Sequence, residues 1–293
     1  MRHEENQSQF SQWRASWRIF RKHRVAVFGL VVVSLFFLVA IFGPWISPHD
    51  PNEQSIRKSL NPPSAEHLLG TDLYGRDIFS RVIAGARISL SVAFVAVFIQ
   101  ITIGVGIGVL AGYFNALDGP LMRFVDVMMA VPSMVLLLTV VALFGAGIFN
   151  TMIVIGFTAW MSTARLVRGQ FLSLREREFS EAARALGVRS MRIIWRHLMP
   201  NCLNVVIVQA TLFISYAILT ESTLSYLGLG VQAPHASWGN MLSAGRDYMQ
   251  RAWWHTVFPG AAIFLAVLSF NFVGDGLRDA LDPRTIIQED KTS

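Results

Sequence analysis

Residues 88–113 read ISLSVAFVAVFIQITIGVGIGVLAGY, 26 consecutive positions without a charge. About 20 apolar residues suffice for a helix to cross a ~30 Å hydrocarbon core, so this stretch predicts a membrane span. Within it Gly104, Gly106, Gly108 and Gly112 offer a small-residue surface. No strand precedes these glycines and no acidic residue follows at the spacing of a dinucleotide site, so they read as a close helix-packing face. Residues 25–46 are uncharged for 22 positions and residues 127–164 for 38. The longer run exceeds one span, and Gly145, Gly147 and Asn150 predict a tight hairpin joining two helices. Residues 202–220 and 257–274 supply the fifth and sixth spans. The chain is 53% hydrophobic and 15% charged, with a mean hydropathy of +0.46, the balance of an integral membrane protein.

The expected fold is all-α: a polytopic bundle of six spans with both termini on one side. Of the 25 Lys and Arg residues, 18 fall on the side of the termini and 7 on the other. The positive-inside rule then orients the chain N-in and C-in. The formal net charge of +6 reads as a topology signal facing an anionic inner leaflet, not as nucleic-acid binding. This gives a cytoplasmic amphipathic or basic segment at 1–24, a first span at 25–46 and an external loop with an interfacial helix at 47–87. A five-span core follows at 88–277, with a cytoplasmic loop at 165–201, and then a cytoplasmic tail at 278–293. Trp13, Trp17, Ile19 and Phe20 alternate with Arg14, Arg18, Arg21 and Lys22. That mixture suits a helix lying on the inner leaflet, and equally a basic flank that orients the first span. The first apolar run is too long for a signal peptide and lacks an Ala-x-Ala site. Cys202 is the lone cysteine, which excludes an internal disulfide and a multi-cysteine metal site.

The external segment opens with Pro48, Pro51, Pro62 and Pro63, which predict irregular, extended chain. After Gly75, apolar Ile78, Phe79, Val82 and Ile83 recur at helical spacing and predict a helix in the outer interface before the second span. No histidine, nucleophile or ligand cluster is evident beside Asp72 and Asp77. Both therefore read as caps and as ion-pair partners of Arg76 and Arg81, with no catalytic or metal site expected. Trp238, Trp253 and Trp254 in the last external loop read as an interfacial belt, or as a contact for an external delivery protein. Ionisable residues within spans are candidate functional positions. Glu221 falls near the outer mouth of the fifth span, open to substrate, to a delivery protein or to a structural polar contact. Gln100 and Asn271 sit deeper, open to a polar pathway or a second subunit. Asp126 and Asp275 lie near Arg123 and Arg278 and read as their partners.

Between residues 165 and 201 lie eight arginines together with Glu176, Glu178 and Glu181. Ser180 to Leu186 are strong helix formers, and Gly187 can end the helix in a left-handed conformation. Met191, Ile193, Ile194, Trp195 and Leu198 begin a second amphipathic stretch, and Pro200 permits a redirected approach to the fifth span. By charge alone this is a solvated, positive-inside loop.

The spacing resembles the cytoplasmic motif of ABC importer permeases: Glu-Ala-Ala, three residues, Gly, nine residues, Ile-x-Leu-Pro. Glu181, Ala182, Ala183, Gly187, Leu198 and Pro200 keep that register, with Arg184 inside it, while His197 and Met199 depart from its Ile and Leu. Further stretches are similar to the peptide, nickel and glutathione branch. They are Gly70-Thr71-Asp72 through Gly75-Arg76-Asp77; Leu224-Ser225-Tyr226-Leu227-Gly228-Leu229-Gly230 with Trp238-Gly239-Asn240; and Asn271-Phe272-Val273-Gly274-Asp275-Gly276. The match is to the second, shorter permease of dipeptide and oligopeptide importers. It implies an inner-membrane assembly of this subunit, a related permease, two ATPases and a substrate-binding protein. Short peptides are the expected cargo, with nickel, metal chelates or glutathione as alternatives. It also implies that Glu181 to Gly187, His197 and Pro200 dock the ATPase.

No Gly-x-x-x-x-Gly-Lys-(Ser/Thr) occurs, so no cofactor is expected in this chain, and ATP with Mg²⁺ would be used by the partners. An ion-coupled secondary transporter would need deep carboxylates or inverted repeats, and neither is evident. The topology predicts that cysteines introduced at Asp50 or His235 react with an impermeant thiol reagent from outside spheroplasts. One at Ser190 should react only after permeabilisation; labelling of Ser190 from outside would invert the orientation.

Overall fold

A computed structural model describes residues 16–282. The regular structure of the described residues is helical: α1 (Arg24–Ile46), α2 (Ile78–Tyr113), α3 (Asn115–Ala130), α4 (Ser133–Phe144) and α5 (Ile148–Arg175) are followed by α6 (Glu178–Ala185) and α7 (Ser190–Ile193). A π-turn (Ile194–Leu198) leads into α8 (Met199–Tyr226), then α9 (Trp238–Gly245) and α10 (Trp254–Leu281). Among the described residues there is no strand, only an isolated Thr71–Asp77 bridge.

Local chemistry sets the boundaries. Asp77 caps α2, its Oδ2 accepting from Ser80 N at 2.8 Å. No proline interrupts the 36 residues that follow. At ~1.5 Å per residue the helix runs roughly 54 Å, well beyond the hydrocarbon thickness. The separate interfacial helix expected after Gly75 is therefore the outer end of α2 itself. The hairpin expected near Gly145 is present. Gly145 and Gly147 take φ of +86° and +155°, and Asn150 Nδ2 donates to Phe144 O and Gly145 O at 2.8 and 2.9 Å, satisfying carbonyls at the end of α4. Upstream of that hairpin the chain departs from the sequence reading. Only Phe114 separates α2 from α3, and α3 and α4 meet at 85°. Pro132 removes a donor and drives Val131 to extended backbone (ψ 126°), so the helix cannot continue.

The centre of the bundle is the packing of α2 against α5. Carbons added as Cβ to Gly104, Gly108 and Gly112 would lie 2.6 Å from Thr163 Cβ, 2.7 Å from Ala164 O and 2.5 Å from Phe171 Cβ. Gly156 makes the reciprocal approach, 2.6 Å from Ala96 O. Gly106 faces open space. The small-residue reading of the second span is correct, and its register selects three of the four glycines. Lipid tails give helices no hydrophobic reason to associate, so close approach through small residues supplies the van der Waals contact that does.

Elsewhere α1 lies at the periphery with most of its surface exposed, held to α10 where Gly29 meets Ser269 and Phe272. Residues 16–22 are helical, and Phe20 is buried against Gly276 of α10, while Trp17 is exposed. Trp13 and Arg14 of the expected amphipathic pattern, and residues 283–293 of the tail, lie outside the described residues. Among the described residues, four helical stretches are long and apolar enough to cross a membrane: α1, α2, Ser190–Tyr226 and α10. The bent α3–α4 pair makes a fifth if counted as one span.

Substitution should separate the glycines by sign. Gly104→Ala and Gly108→Ala each force the seam apart and should cost about 1–3 kcal/mol. Gly106→Ala should be neutral or stabilising by up to about 1 kcal/mol through helix propensity. Thermal unfolding in lipid nanodiscs reads the contrast, and equal effects at 106 and 108 would refute the seam.

Candidate functional site

The loop expected at 165–201 is shorter in the structure, because Arg165 to Arg175 complete α5. The exposed part is α6 and the turn after it. Gly187 stands at φ +71°. Val188 N donates to Ala183 O at 3.1 Å and Gly187 N to Arg184 O at 2.9 Å, the paired bonds of a Schellman terminus. Ser180 and Ala183 face inward and are buried. Ala183 joins Val167, Phe171, Ile193, Ile194 and Leu198 in one apolar cluster beneath the helix. Arg184 Nη2 donates to Arg175 O at 2.7 Å, pinning α6 to the end of α5.

The outward face carries Glu181, Ala182, Arg184 and Ala185, with Leu186 83% exposed and Phe179 also uncovered. Glu178 and Glu181 fill the first turn and Arg184 the last, which suits the helix dipole. The result is a short rod, rigid underneath and open above, able to receive a partner surface.

Pro200 does not break the approach to α8. It lacks an N–H, and its ring would clash with the carbonyl four residues earlier. The preceding turn widens instead, Met199 N bonding Ile194 O, so Ser190–Tyr226 runs as one 37-residue helical stretch. His197 lies in this turn, half-buried, and its carbonyl accepts from Asn201 Nδ2 at 2.7 Å.

Two ion pairs, Arg165–Asp126 and Arg168–Asp118, fasten α3 to α5; Arg168 also bonds Asp118 through Nη2 at 2.7 Å. Asp126 thus pairs with Arg165 and not with Arg123, and no ion pair joins Asp275 to Arg278 among the described residues. Asp118 and Asp126 lie about two turns apart on α3, and Arg165 and Arg168 about one turn apart on α5.

A cleft of about 350 Å³ opens between the broken α3–α4 segment, α5 and α8. Val131, Ser133, Ser162, Gln209, Phe213 and Tyr216 are in its wall. The non-helical backbone at Val131 borders this cavity. A second hollow, about 460 Å³, shares Gln209 and Leu212 and reaches Gln170, Asn204 and Arg278. None of the three path candidates from the sequence lines the first cleft. Gln100 is fully buried between α2 and α5 and donates to Thr163 Oγ1. Asn271 Nδ2 donates to Val267 O of its own helix at 3.0 Å. Glu221 is also fully buried, accepting from Ser225 Oγ at 2.7 Å and Ser89 Oγ at 3.3 Å. These serines in turn accept from Val231 N and Trp238 N. Glu221 therefore ties α2, α8 and the outer loop together.

The outer segment is also internal structure. Asp72 is buried and accepts from Tyr74 N, Arg76 N and Arg76 Nε, with Arg81 Nε 3.8 Å away. Both arginines serve Asp72, whereas Asp77 caps α2 and meets His67 and His49. The sequence reading found no histidine beside Asp77 because His49 and His67 are 28 and 10 residues distant along the chain and only the fold joins them. The tryptophan belt is corrected too. Trp238 is buried with Nε1 donating to Val82 O at 3.0 Å, and Trp254 donates to Thr71 O at 3.2 Å. Trp253 remains exposed.

An all-helical bundle with a broken span, a cleft beside it and an exposed rod at one end is the layout of a membrane permease subunit. Residues 104–287 match the family described as binding-protein-dependent transport system inner membrane component. Residues 11–63 match the N-terminal TM domain of oligopeptide transport permease C. The chain is 44% identical to the dipeptide transport system permease protein DppC of Alkalihalophilus pseudofirmus, over 96% of this chain and 93% of that one. Against the di/tripeptide transport system permease protein DppC of Pseudomonas aeruginosa it is 43% identical, over 92% and 91%. The oligopeptide transport system permease protein OppC of Bacillus subtilis is 40% identical, over 94% and 90%. The inward-facing MetNI methionine ABC transporter shares the fold, with a TM-score of 0.57 over 69% of this chain and 96% of that chain at 19% identity. The chain belongs to the family of binding-protein-dependent transport inner-membrane components, and is a multi-pass ABC permease subunit of the inner membrane.

Gly187 gives a local test. A carbon added there meets no atom within 4 Å, so only backbone strain opposes a side chain. Gly187→Val should fray the end of α6 by more than the roughly 1–2 kcal/mol typical of left-handed backbone, and Gly187→Asn should be tolerated. Hydrogen exchange across residues 178–188 reads this, and equal protection in both variants would contradict it.

Proposed function

We propose that this chain is one of two permease subunits of an ATP-driven importer of short peptides, and that α6 receives the ATPase. The carrying observation is the exposed, Schellman-terminated α6 in the Glu181-Ala182-Ala183 to Gly187 register, anchored on both sides to long helices. The names of the relatives support peptides as cargo, and the absence of a phosphate loop from the sequence supports separate ATPases. The six spans are α1, α2, the α3–α4 pair, α5, the stretch ending in α8, and α10, with both termini in the cytoplasm. Counting α5 as a span is reasonable because its charges at 165 and 168 are neutralised by α3 and its polar face borders the cleft. A substrate-binding protein delivers cargo to the outer side.

The mechanism follows from connectivity. Closure of the ATPase pair pushes on α6, which is bonded to the end of α5 through Arg184 and leads through α7 and the π-turn into α8. The cleft lies between those two helices, so motion of the rod changes its width. Rigid elements, and not a soft loop, transmit the displacement between outward- and inward-open states.

Glu181→Lys reverses a charge on the open face of α6 without touching its buried side. The variant should accumulate normally yet lose ATPase copurification or uncouple hydrolysis from uptake, lowering transport at least ~10-fold if an interfacial charge pair is broken. The purified chain alone should bind no nucleotide. Wild-type uptake and coupling in Glu181→Lys at wild-type protein level would sink the docking assignment.

A further inference from the structure

The external segment holds a side-chain cluster that neither α6 nor the cleft uses. His49 follows α1, His67 lies midway along the segment and Asp77 caps α2. One ligand atom from each lies within 4.8 Å of the other two. His67 Nδ1 is 3.0 Å from Asp77 Oδ1, and His49 Nδ1 is 3.8 Å from Asp77 Oδ2. A tetrahedral zinc ion with bonds of about 2.0–2.1 Å has ligand–ligand edges of roughly 3.4 Å, a value these two separations bracket. The imidazole rings are 4.7 Å apart and tilted by 35°, so both reach the same carboxylate.

Two further observations point to a missing partner. His49 Nδ1 and His67 Nε2 are buried with no hydrogen-bond partner. Asp77 and His67 are only 2% and 5% exposed. Buried polar atoms without partners are costly, and each of these two imidazoles carries one, while the other nitrogen of His67 faces Asp77. A hollow of about 90 Å³ adjoins the cluster, with Asp50, Glu53 and Glu66 also in its wall. Its lone cation, Lys58, is neutralised by Glu66 at 2.6 Å. The local field is therefore negative, and the space exceeds the ~30 Å³ that a water occupies in the liquid.

We propose that His49, His67 and Asp77 form a three-ligand site for a divalent transition cation of the zinc class, with water from the hollow as the fourth ligand. Two imidazoles and one carboxylate suit such an ion, whereas magnesium and calcium require oxygen cages. The ion is resident and not cargo, because Asp77 simultaneously caps α2 and the site is remote in the chain from the cleft residues. Bound there, it staples the end of α1, the middle of the external segment and the start of α2. The inference stands apart from the transport reading and survives a different cargo.

The test uses the untagged full-length chain in lipid nanodiscs, stripped with a chelator and titrated with zinc chloride. One zinc per chain is expected, with a rise in melting temperature that excess magnesium does not reproduce. Cobalt chloride should give the intense visible bands of a tetrahedral ion. His49→Gln, at a half-exposed position that leaves the fold intact, should weaken zinc binding at least ~10-fold and abolish the thermal shift. His67→Gln should do the same, and Glu66→Gln should bind like wild type. Absence of stoichiometric zinc in the wild type overturns the proposal, as does wild-type zinc affinity in His49→Gln.

Discussion

Everything in this subunit hangs on how closely α2 and α5 approach. In lipid no hydrophobic force drives two helices together, so contact itself must supply the stability. Gly104, Gly108 and Gly112 present bare backbone to Thr163, Ala164, Val167 and Phe171, while Gly156 presents its own to Ala96 and Ile99. With that seam closed, Arg165 and Arg168 reach α3, the broken segment is held beside α5, and the cleft acquires its walls. Phe171, fully buried at the inner end of the seam, is also part of the floor under α6. One helix pair thus positions both the cavity and the exposed rod.

The end of the bundle that carries residues 47–77 obeys a different logic. There the stabilising elements include buried polar groups with hydrogen-bond partners: Asp72 between two arginines and the backbone, Glu221 accepting from Ser89 and Ser225, and Trp238 and Trp254 hydrogen-bonded to carbonyls. Such networks are costly when half-satisfied and rigid when complete. Their density here contrasts with the opposite end, where a hollow opens between α5, α8 and α10. The subunit is accordingly cross-linked by side chains at that end and divided at the other.

Much of this was legible in the sequence because the signals are local. Uncharged run lengths mark the long helices, Gly145 and Asn150 mark the hairpin, and the spacing from Glu181 to Gly187 marks a short helix and its left-handed terminus. The misreadings share one cause. Pairings of Asp126 with Arg165 and of Asp77 with His49 and His67 join residues 39, 28 and 10 positions apart, beyond the reach of a reading by adjacency. Tryptophans at a span mouth were assigned to the interface by average behaviour, whereas Trp238 and Trp254 have hydrogen-bond acceptors inside the protein. Gln209, Ser162 and Tyr216 escaped notice because a cleft wall is assembled from three helices, and no one of them announces it. The bend at Pro132 was the one miss that local chemistry could have prevented.

The π-turn at residues 194–198 fixes more than the path of the chain. It contains one residue more than an α-helical turn would, and each residue advances a helix by ~100°. Removing a residue from it would therefore rotate everything upstream by about that angle relative to α8. Ile193 and Ile194 would swing out of the apolar floor, and Glu181 would point somewhere else on the membrane surface. The number of residues between Gly187 and Pro200 is in this sense an angular setting: it aims the rod, and a chain that kept every side chain but changed that count would aim it wrongly.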